Sequence, residues 1–235
     1  MNGSKDLVAT EFLSKLREQV LPSTFLKNIE LTLMVEYNLD VSDFEADHIC
    51  WRTSTAEEYT ELVTHLKQCS DIDLLVESVI GGRLISTFQL KYSIPVQRFY
   101  DVKTKTKTHN NDKEYSYFRY IDTIEIPSPK MTSQYNSGLE HHVEFVIPAS
   151  TMSALSNSDS SSLVTPLNDI HHQTTFEAFM MVHSNVPWNI KAMQKEVNPD
   201  ISIQLRNQDC SVKFHLIPLK QVIDFEKRCK KPNVR

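Results

Sequence analysis

The chain has 235 residues, of which 40% are hydrophobic and 23% are charged, as in an ordinary globular protein with a sizeable core. Its formal net charge of -5 provides no general basic field, so nucleic acid is not an expected partner. No stretch approaches the ~18 apolar residues of a membrane span, and the first residues carry charges rather than an apolar leader. Together with four widely spaced cysteines, this composition predicts a cytoplasmic or nuclear protein without a membrane partner.

The first part of the chain has the pattern of two helices. Apolar residues recur at helical spacing over residues 6–20 and again over residues 24–37. Pro22 ends the first of these patterns because proline cannot continue a helix. Residues 1–40 are therefore predicted to be a helical extension that packs on the core.

Residues 41–130 have the pattern of a strand, a helix and further strands. A capping box opens the helix, with Thr55 as the N-cap and Glu58 reaching back to it. The dipeptide Gly81-Gly82 is typical of a hairpin turn between two strands. The predicted elements are a strand at 48–53, a helix at 55–69, strands at 74–80 and 83–90, and one or two strands within 115–126.

Residues 139–229 repeat much of this element order. The pattern predicts a strand at 139–147, helices at 167–182, 188–197 and 222–229, and a hairpin formed by residues 201–205 and 210–216. The polar stretches 103–113 and 156–162 are typical of loops or inserts. We therefore predict an α+β fold of two units, fused into one domain, whose sheets close around a shared cleft.

His142 and Glu144 are the most informative pair in the sequence. They stand two residues apart in a predicted strand, so both side chains point to the same face. A buried imidazole and a buried carboxylate are costly unless they have a partner. A divalent metal such as Zn, Ni, Fe or Mn is one such partner, since these ions bind histidine and carboxylate ligands. Glu144 is then either a ligand or the base beside the metal.

Further ligand candidates occupy matching places in the two units. His48 lies in the first strand of the first unit, as His142 does in the second. Glu125 and His215 lie in the last strands of the two units. Taken alone, His48 is better explained as a core histidine. Its neighbour Asp47 offers a partner that could orient the ring, but strand alternation places Asp47 on the opposite face.

Two basic residues are candidates for substrate binding. Lys213 alternates with His215, so it would face the same cleft, where a cation suits a carboxylate substrate. Arg83 follows the predicted turn and could bind a carboxylate through two hydrogen bonds. Lys213 could equally be a strand-edge lysine with a solvated ammonium group, and Arg83 could be an exposed hairpin charge.

Four stretches match a known family, namely Ala46-Asp47-His48-Ile49, 77–83, 142–148, and the segment from Asn198-Pro199 to Lys213-Phe214-His215. They resemble the bacterial YecM family, and the similarity spans most of residues 25–228. That family is described as metal-binding and is placed in the vicinal oxygen chelate superfamily, whose members include glyoxalase I and extradiol dioxygenases. The resemblance implies two βαβββ modules, at 41–130 and 139–229, that form a cup-shaped mixed sheet with a metal inside.

The resemblance also implies a ligand set and an activity. The superfamily order His, Glu, His, Glu maps onto His48, Glu125, His142 and His215, where His215 departs from the usual carboxylate. The leading hypothesis is a metal-dependent isomerase, lyase or dioxygenase-like enzyme for a small oxygen-bearing substrate, with Glu144 as general base. The alternative is a non-catalytic module on the same fold that binds a small ligand or another protein. Both hypotheses are compatible with a monomer or a homodimer.

Overall fold

Five helices and nine strands form in the described part of the chain. The computed structural model describes residues 5–20, 24–98, 118–130, 136–139, 142–151, 169–206 and 210–229. The predicted inserts at 103–113 and 156–162 lie outside these residues. The helices are α1 (Lys5–Val20), α2 (Phe25–Tyr37), α3 (Ala56–Leu66), α4 (Asp169–Val182) and α5 (Leu219–Cys229). None of these helices has the length and apolar character needed to span a membrane.

The strands form two sheets, and both sheets are mixed. Sheet 1 has the order β1-β7-β9-β8, and sheet 2 has the order β3-β4-β5-β2-β6. Each sheet contains one parallel pair, β7 with β9 or β2 with β5, among antiparallel neighbours. The strands are β1 (Glu45–Ala46), β2 (Ile49–Arg52), β3 (Ile72–Ile80), β4 (Arg83–Gln97), β5 (Phe118–Pro127), β6 (Gly138–Leu139), β7 (His142–Val146), β8 (Asp200–Gln204) and β9 (Ser211–His215).

The predicted α+β class, with two sheets and a helical N-terminal part, is confirmed. In the first unit, β2, α3, β3, β4 and β5 follow the predicted order, and the last strand pairs in parallel with the first. In the second unit, β9 likewise pairs in parallel with β7. This unit has two described strands after its helix, where the βαβββ module implied by the resemblance has three, and β1 from the first half of the chain forms the other edge of its sheet.

Two neighbouring segments pass together from one sheet to the other. In sheet 1, Ala46 of β1 pairs with Phe145 of β7, and in sheet 2, Trp51 of β2 pairs with Leu139 of β6. The single strand predicted at 139–147 is therefore wrong: its two ends belong to different sheets, with residues 140–141 outside the described part. Periodicity reports which face of a strand is buried and carries no information on which sheet the strand joins.

Alternation along β7 and β9 separates an apolar face from a polar one. Val143 and Phe145 are fully buried and face the core, where the Phe145 ring lies 5.8 Å from the ring of Phe214. The residues that alternate with them, His142 and Glu144, project from the opposite face of the sheet. The buried apolar residues of both sheets and the N-terminal helices form one contiguous cluster.

Arg119 of β5 fixes the N-terminal helices on the sheets. Its Nε donates to the Glu30 carboxylate of α2 at 2.6 Å, and its Nη atoms donate to the carbonyls of Val41 and Phe44. Burial lowers the pKa of Arg119, and the charge of Glu30 opposes that effect. The guanidinium thus holds the segment that leads into β1, and with it the position of the residues that follow.

The helix predicted at 188–197 is wrong. That stretch consists of turns, in which Asn189 bridges to Ser202 and Asn198 adopts a positive φ of 46°. Trp188 packs against Phe214 with ring centroids 5.4 Å apart, so the apolar spacing reflects tertiary packing. A second difference is β4, which extends to Gln97 rather than ending near residue 90, with a register shift between Gln89 and Ile94.

Candidate metal centre

The polar residues singled out in the sequence meet where the chain passes between the sheets. Asp47 and His48 connect β1 to β2, and the backbone N–H of Asp47 donates to the carbonyl of Glu144 at 2.9 Å. In the adjacent parallel pair, Glu144 lies opposite Lys213, and His142 lies opposite Ser211. These pairs share the polar face of sheet 1, because residues in register on neighbouring strands point the same way.

Three imidazoles converge on the carboxylate of Glu144. His142 Nε2 lies 2.8 Å from Glu144 Oε1, and His48 Nε2 lies 3.8 Å from the same oxygen. His215 Nε2 lies 3.8 Å from the other oxygen, Oε2. We call His48, His142, Glu144 and His215 the His–Glu cluster. Three of its members, His48, His142 and Glu144, offer ligand atoms that all lie within 4.8 Å of one another, so they could hold a metal ion.

Each histidine of the His–Glu cluster has a second contact through Nδ1. His48 Nδ1 lies 3.1 Å from Asp47 Oδ2, and His215 Nδ1 lies 2.8 Å from the carbonyl oxygen of Ile217. His142 Nδ1 lies 3.1 Å from the hydroxyl of Ser211. Carboxylate and carbonyl oxygens only accept, so Nδ1 carries the proton in His48 and His215, and a neutral ring then keeps its lone pair at Nε2. Metal-ligating histidines are oriented by such contacts.

Two buried nitrogen atoms indicate whether these residues are suited to bind a metal ion. The Nε2 atoms of His48 and His215 are buried, and neither has a hydrogen-bond partner among the described residues. The two side chains are only 2% and 1% exposed. Their nearest carboxylate oxygens are 3.5 Å away, on Glu125 for His48 and on Asp47 for His215, and the Glu144 oxygens are 3.8 Å away. A buried polar atom without a hydrogen bond costs roughly 1–3 kcal/mol, so two of them among carboxylates need an explanation. A cation between Glu144 and these nitrogens would satisfy all three groups, and the donor set fits a divalent metal.

The charges around the His–Glu cluster oppose the effect of burial on the pKa values of its residues. Burial lowers the pKa of His48, but the carboxylates of Glu125 and Glu144 outweigh it and raise this pKa well above its ordinary value. Burial raises the pKa of Glu144, but the charges of His48 and Lys213 hold it well below its ordinary value. The carboxylates thus favour a positive charge at this position, which a bound cation would supply in place of a proton.

One side of the His–Glu cluster is open. His48, His215 and Asp47 form its closed side, whereas the side chains of Lys213 and Glu125 are 34% and 19% exposed. Lys213 Nζ donates to Glu144 Oε1 at 2.5 Å. Lys213 and Glu125 therefore form the more exposed side of the cluster.

Comparison with known proteins decides the family. The YecM family model, described as "YecM protein", matches residues 18–226. The chain belongs to the YecM family. A solved structure described as "Structural Genomics, Protein EC4020" resembles this YecM-family protein with a TM-score of 0.51 and 19% sequence identity, over 96% of this chain and 97% of that one. At that identity the likeness supports the fold alone. The curated proteins give no match.

The YecM match includes every residue that the sequence predicted for the site. His48, His142, His215, Glu144 and Lys213 lie together. Glu125 lies beside them on β5, with its Oε2 3.5 Å from His48 Nε2. The roles of metal ligand, base and substrate contact stay predictions.

Arg83 lies apart from the His–Glu cluster in its described contacts. It begins β4 at the Gly81-Gly82 turn, and its Nη1 donates to the carbonyl of Ser128 at 3.4 Å. Its strand partner is Ile80, at the end of the hairpin. No described contact links Arg83 to the His–Glu cluster. The prediction that Arg83 binds substrate therefore gains no support from these contacts.

Asp47 is a partner of His48 that strand alternation had ruled out. Alternation placed it on the face opposite His48, and that is wrong, because its carboxylate contacts the His48 ring. The rule fails here because residues 47 and 48 connect two strands and lie in neither. The sequence did contain a signal for this contact. The predicted strand began at His48, so Asp47 lay outside the strand, where alternation does not apply.

Proposed function

We propose that this YecM-family protein is a metal-dependent enzyme of the vicinal oxygen chelate type that acts on a small substrate with two neighbouring oxygen atoms. The observation that supports the proposal is the pair of buried Nε2 atoms, of His48 and His215, that face Glu144 without hydrogen-bond partners among the described residues. Family membership is consistent with it, since the matched region includes all of these residues.

In this proposal His48, His142 and His215 would hold the ion through Nε2, with a carboxylate as the remaining ligand. Glu125 is the ligand implied by the superfamily order, with Glu144 as base. The contacts favour exchanging these roles, because Glu144 lies at the centre of the three imidazoles, whereas Glu125 lies on the open side. A carboxylate with a pKa held well below its ordinary value is also a weak base.

The residues on the open side would bind and orient the substrate. A divalent ion bound here supplies Lewis-acid stabilisation of negative charge on a substrate oxygen. Glu125 would take a proton from the substrate. Lys213 would contact a carboxylate group of the substrate and give up its hydrogen bond to Glu144. Imidazole and carboxylate donors suit Zn, Ni, Fe or Mn.

Metal analysis of the purified protein tests the proposal. We expect about one equivalent of a divalent metal after loading and desalting, and a near-complete loss in the double variant His48→Ala/His142→Ala, because two of the ligand nitrogens are gone. His65→Ala is the matched control, since His65 lies in the last turn of α3, outside the His–Glu cluster. Elemental analysis and a titration with Zn²⁺ measure both. Stoichiometric metal in the double variant would contradict the proposal.

One observation favours a non-catalytic binding module as the second candidate. Lys213 donates a hydrogen bond to Glu144, so the cation proposed to contact the substrate already has a partner. A binder needs only the cup and its ion. A metal-loaded protein with a rapidly exchanging bound water, measured by solvent relaxation with Mn²⁺, would favour the enzyme, whereas a coordinatively closed ion would favour the binder.

A further inference from the structure

We propose that Asp47 is a positioning residue of the metal centre, and that it connects the His48 ring to the N-terminus of α5. This inference rests on the proposed metal-binding function. Asp47 is 7% exposed, and a buried carboxylate requires several partners to offset its loss of hydration. Its partners belong to two different parts of the molecule.

On the metal side, Asp47 contacts two members of the His–Glu cluster through one oxygen. Its Oδ2 lies 3.1 Å from His48 Nδ1 and 3.5 Å from His215 Nε2. The His48 contact fixes the rotation of the ring and turns Nε2 towards Glu125 and Glu144. A carboxylate that accepts from the far nitrogen also makes the ligand nitrogen of a histidine more basic.

On the helix side, both oxygens of Asp47 accept the backbone N–H of Leu219, each at 3.1 Å. Leu219 is the first residue of α5, a helix of 11 residues. The first N–H groups of a helix have no partner within it, and the positive end of the helix dipole stabilises a nearby carboxylate. The start of α5 therefore holds Asp47 in the rotamer that contacts His48.

A helix cap alone would leave the metal centre unchanged if its side chain were altered. Asp47 differs from a simple cap because the same Oδ2 atom contacts the helix N–H and the His48 ring. Removal of its charge should therefore weaken metal binding, and metal binding should in turn restrict the start of α5. These two effects form the test.

The first experiment compares Asp47→Asn with the wild-type protein by chelator competition with Zn²⁺ and by the visible absorption of bound Co²⁺. We expect unchanged stoichiometry, an affinity reduced roughly 10- to 100-fold, and a shifted Co²⁺ spectrum, since the His48 ligand is less well oriented. Asp40→Asn is the matched control, because the Asp40 carboxylate also accepts a backbone N–H, that of Ser42 at 2.8 Å, outside the cluster. The control should retain wild-type affinity and spectrum.

The second experiment uses the wild-type protein and so does not depend on the folding of a variant. Zn²⁺ should slow hydrogen exchange of the Leu219 amide, bound by Asp47, several-fold more than that of the Ser42 amide, bound by Asp40. Equal effects on the two amides, or a wild-type affinity in Asp47→Asn, would overturn the role of Asp47 while leaving the metal site in place. A wild-type protein that binds neither Zn²⁺ nor Co²⁺ would overturn the proposed function, and this inference with it.

Discussion

Helices α3 and α5 begin in opposite ways. At α3 the cap is local: the Thr55 hydroxyl accepts the N–H of Glu58, and the Glu58 carboxylate accepts the N–H of Ser54. At α5 the cap comes from Asp47, 172 residues away in sequence, and Pro218 stands immediately before the helix. A local cap stabilises one helix, whereas a distant cap also fixes the segment from which it comes.

The difference between the two helix caps also concerns function. The carboxylate that caps α3 also accepts from the hydroxyl of Ser137 at 2.6 Å, a residue 79 positions away in sequence and outside the His–Glu cluster. The carboxylate that caps α5 contacts His48, a member of the His–Glu cluster. We therefore expect changes at the start of α3 to affect stability alone, and changes at the start of α5 to affect stability and metal binding together.

The largest effect is expected for Asp47→Ala in the metal-free protein. The change removes the acceptor of Leu219 and leaves the buried His48 without its Asp47 contact, and breaking a buried ionic contact from one side costs about 3 kcal/mol. Urea unfolding followed by circular dichroism measures the free energy of unfolding. A loss of 1 kcal/mol or less would mean that α5 and His48 are held by other contacts, and the contrast between the two helices would fail.

A smaller effect is expected for Thr55→Ala at the start of α3. Loss of an N-cap hydroxyl costs about 1 kcal/mol, because the N–H of Glu58 loses its acceptor. The affinity for Zn²⁺ should stay at the wild-type value when measured well below the unfolding transition. A tenfold weaker affinity in this variant would remove the distinction between a structural and a functional helix start.

The same contrast separates what the sequence reveals from what it conceals. The capping box at Thr55 and Glu58 and the turn at Gly81-Gly82 are local patterns, and the structure contains both, with positive φ at the two glycines. Helix α5 was predicted to begin at residue 222 and in fact begins at Leu219, since no local cap marks its start. Local rules carry no information on a partner 172 residues away.

The candidate site shows the same limit. His48, His142 and His215 could be proposed from the repeated order of elements, because the parallel pairs β2/β5 and β7/β9 occupy equivalent places in the two sheets. The contact of Asp47 with His48 could not be predicted in this way, because it depends on the chain leaving one sheet and entering the other between β1 and β2. Such a step follows from tertiary packing, and single-strand periodicity does not record it.

The smallest effect concerns the pH dependence of the α3 cap. Burial raises the pKa of Glu58, but hydrogen bonds from Ser137 and Ser54 outweigh it and lower this pKa below its ordinary value of 4.5. Because the folded-state pKa is the lower one, ionised Glu58 stabilises the fold above about pH 4.5, and this contribution is lost as the pH falls through the folded-state value. Glu58→Gln should therefore flatten the pH dependence of the free energy of unfolding in that acidic range.

Glu57→Gln is the matched control for this last prediction, because Glu57 also lies in the first turn of α3 and its loss removes the same charge from the helix dipole. Free energies of unfolding for both variants and the wild type, measured between pH 3 and pH 6, separate the hydrogen bonds of Glu58 from the dipole effect. An equal change of slope in the two variants would assign the pH dependence to the helix dipole. A change confined to Glu58→Gln would assign it to the hydrogen bonds that the Glu58 carboxylate accepts at the start of α3, outside the metal centre.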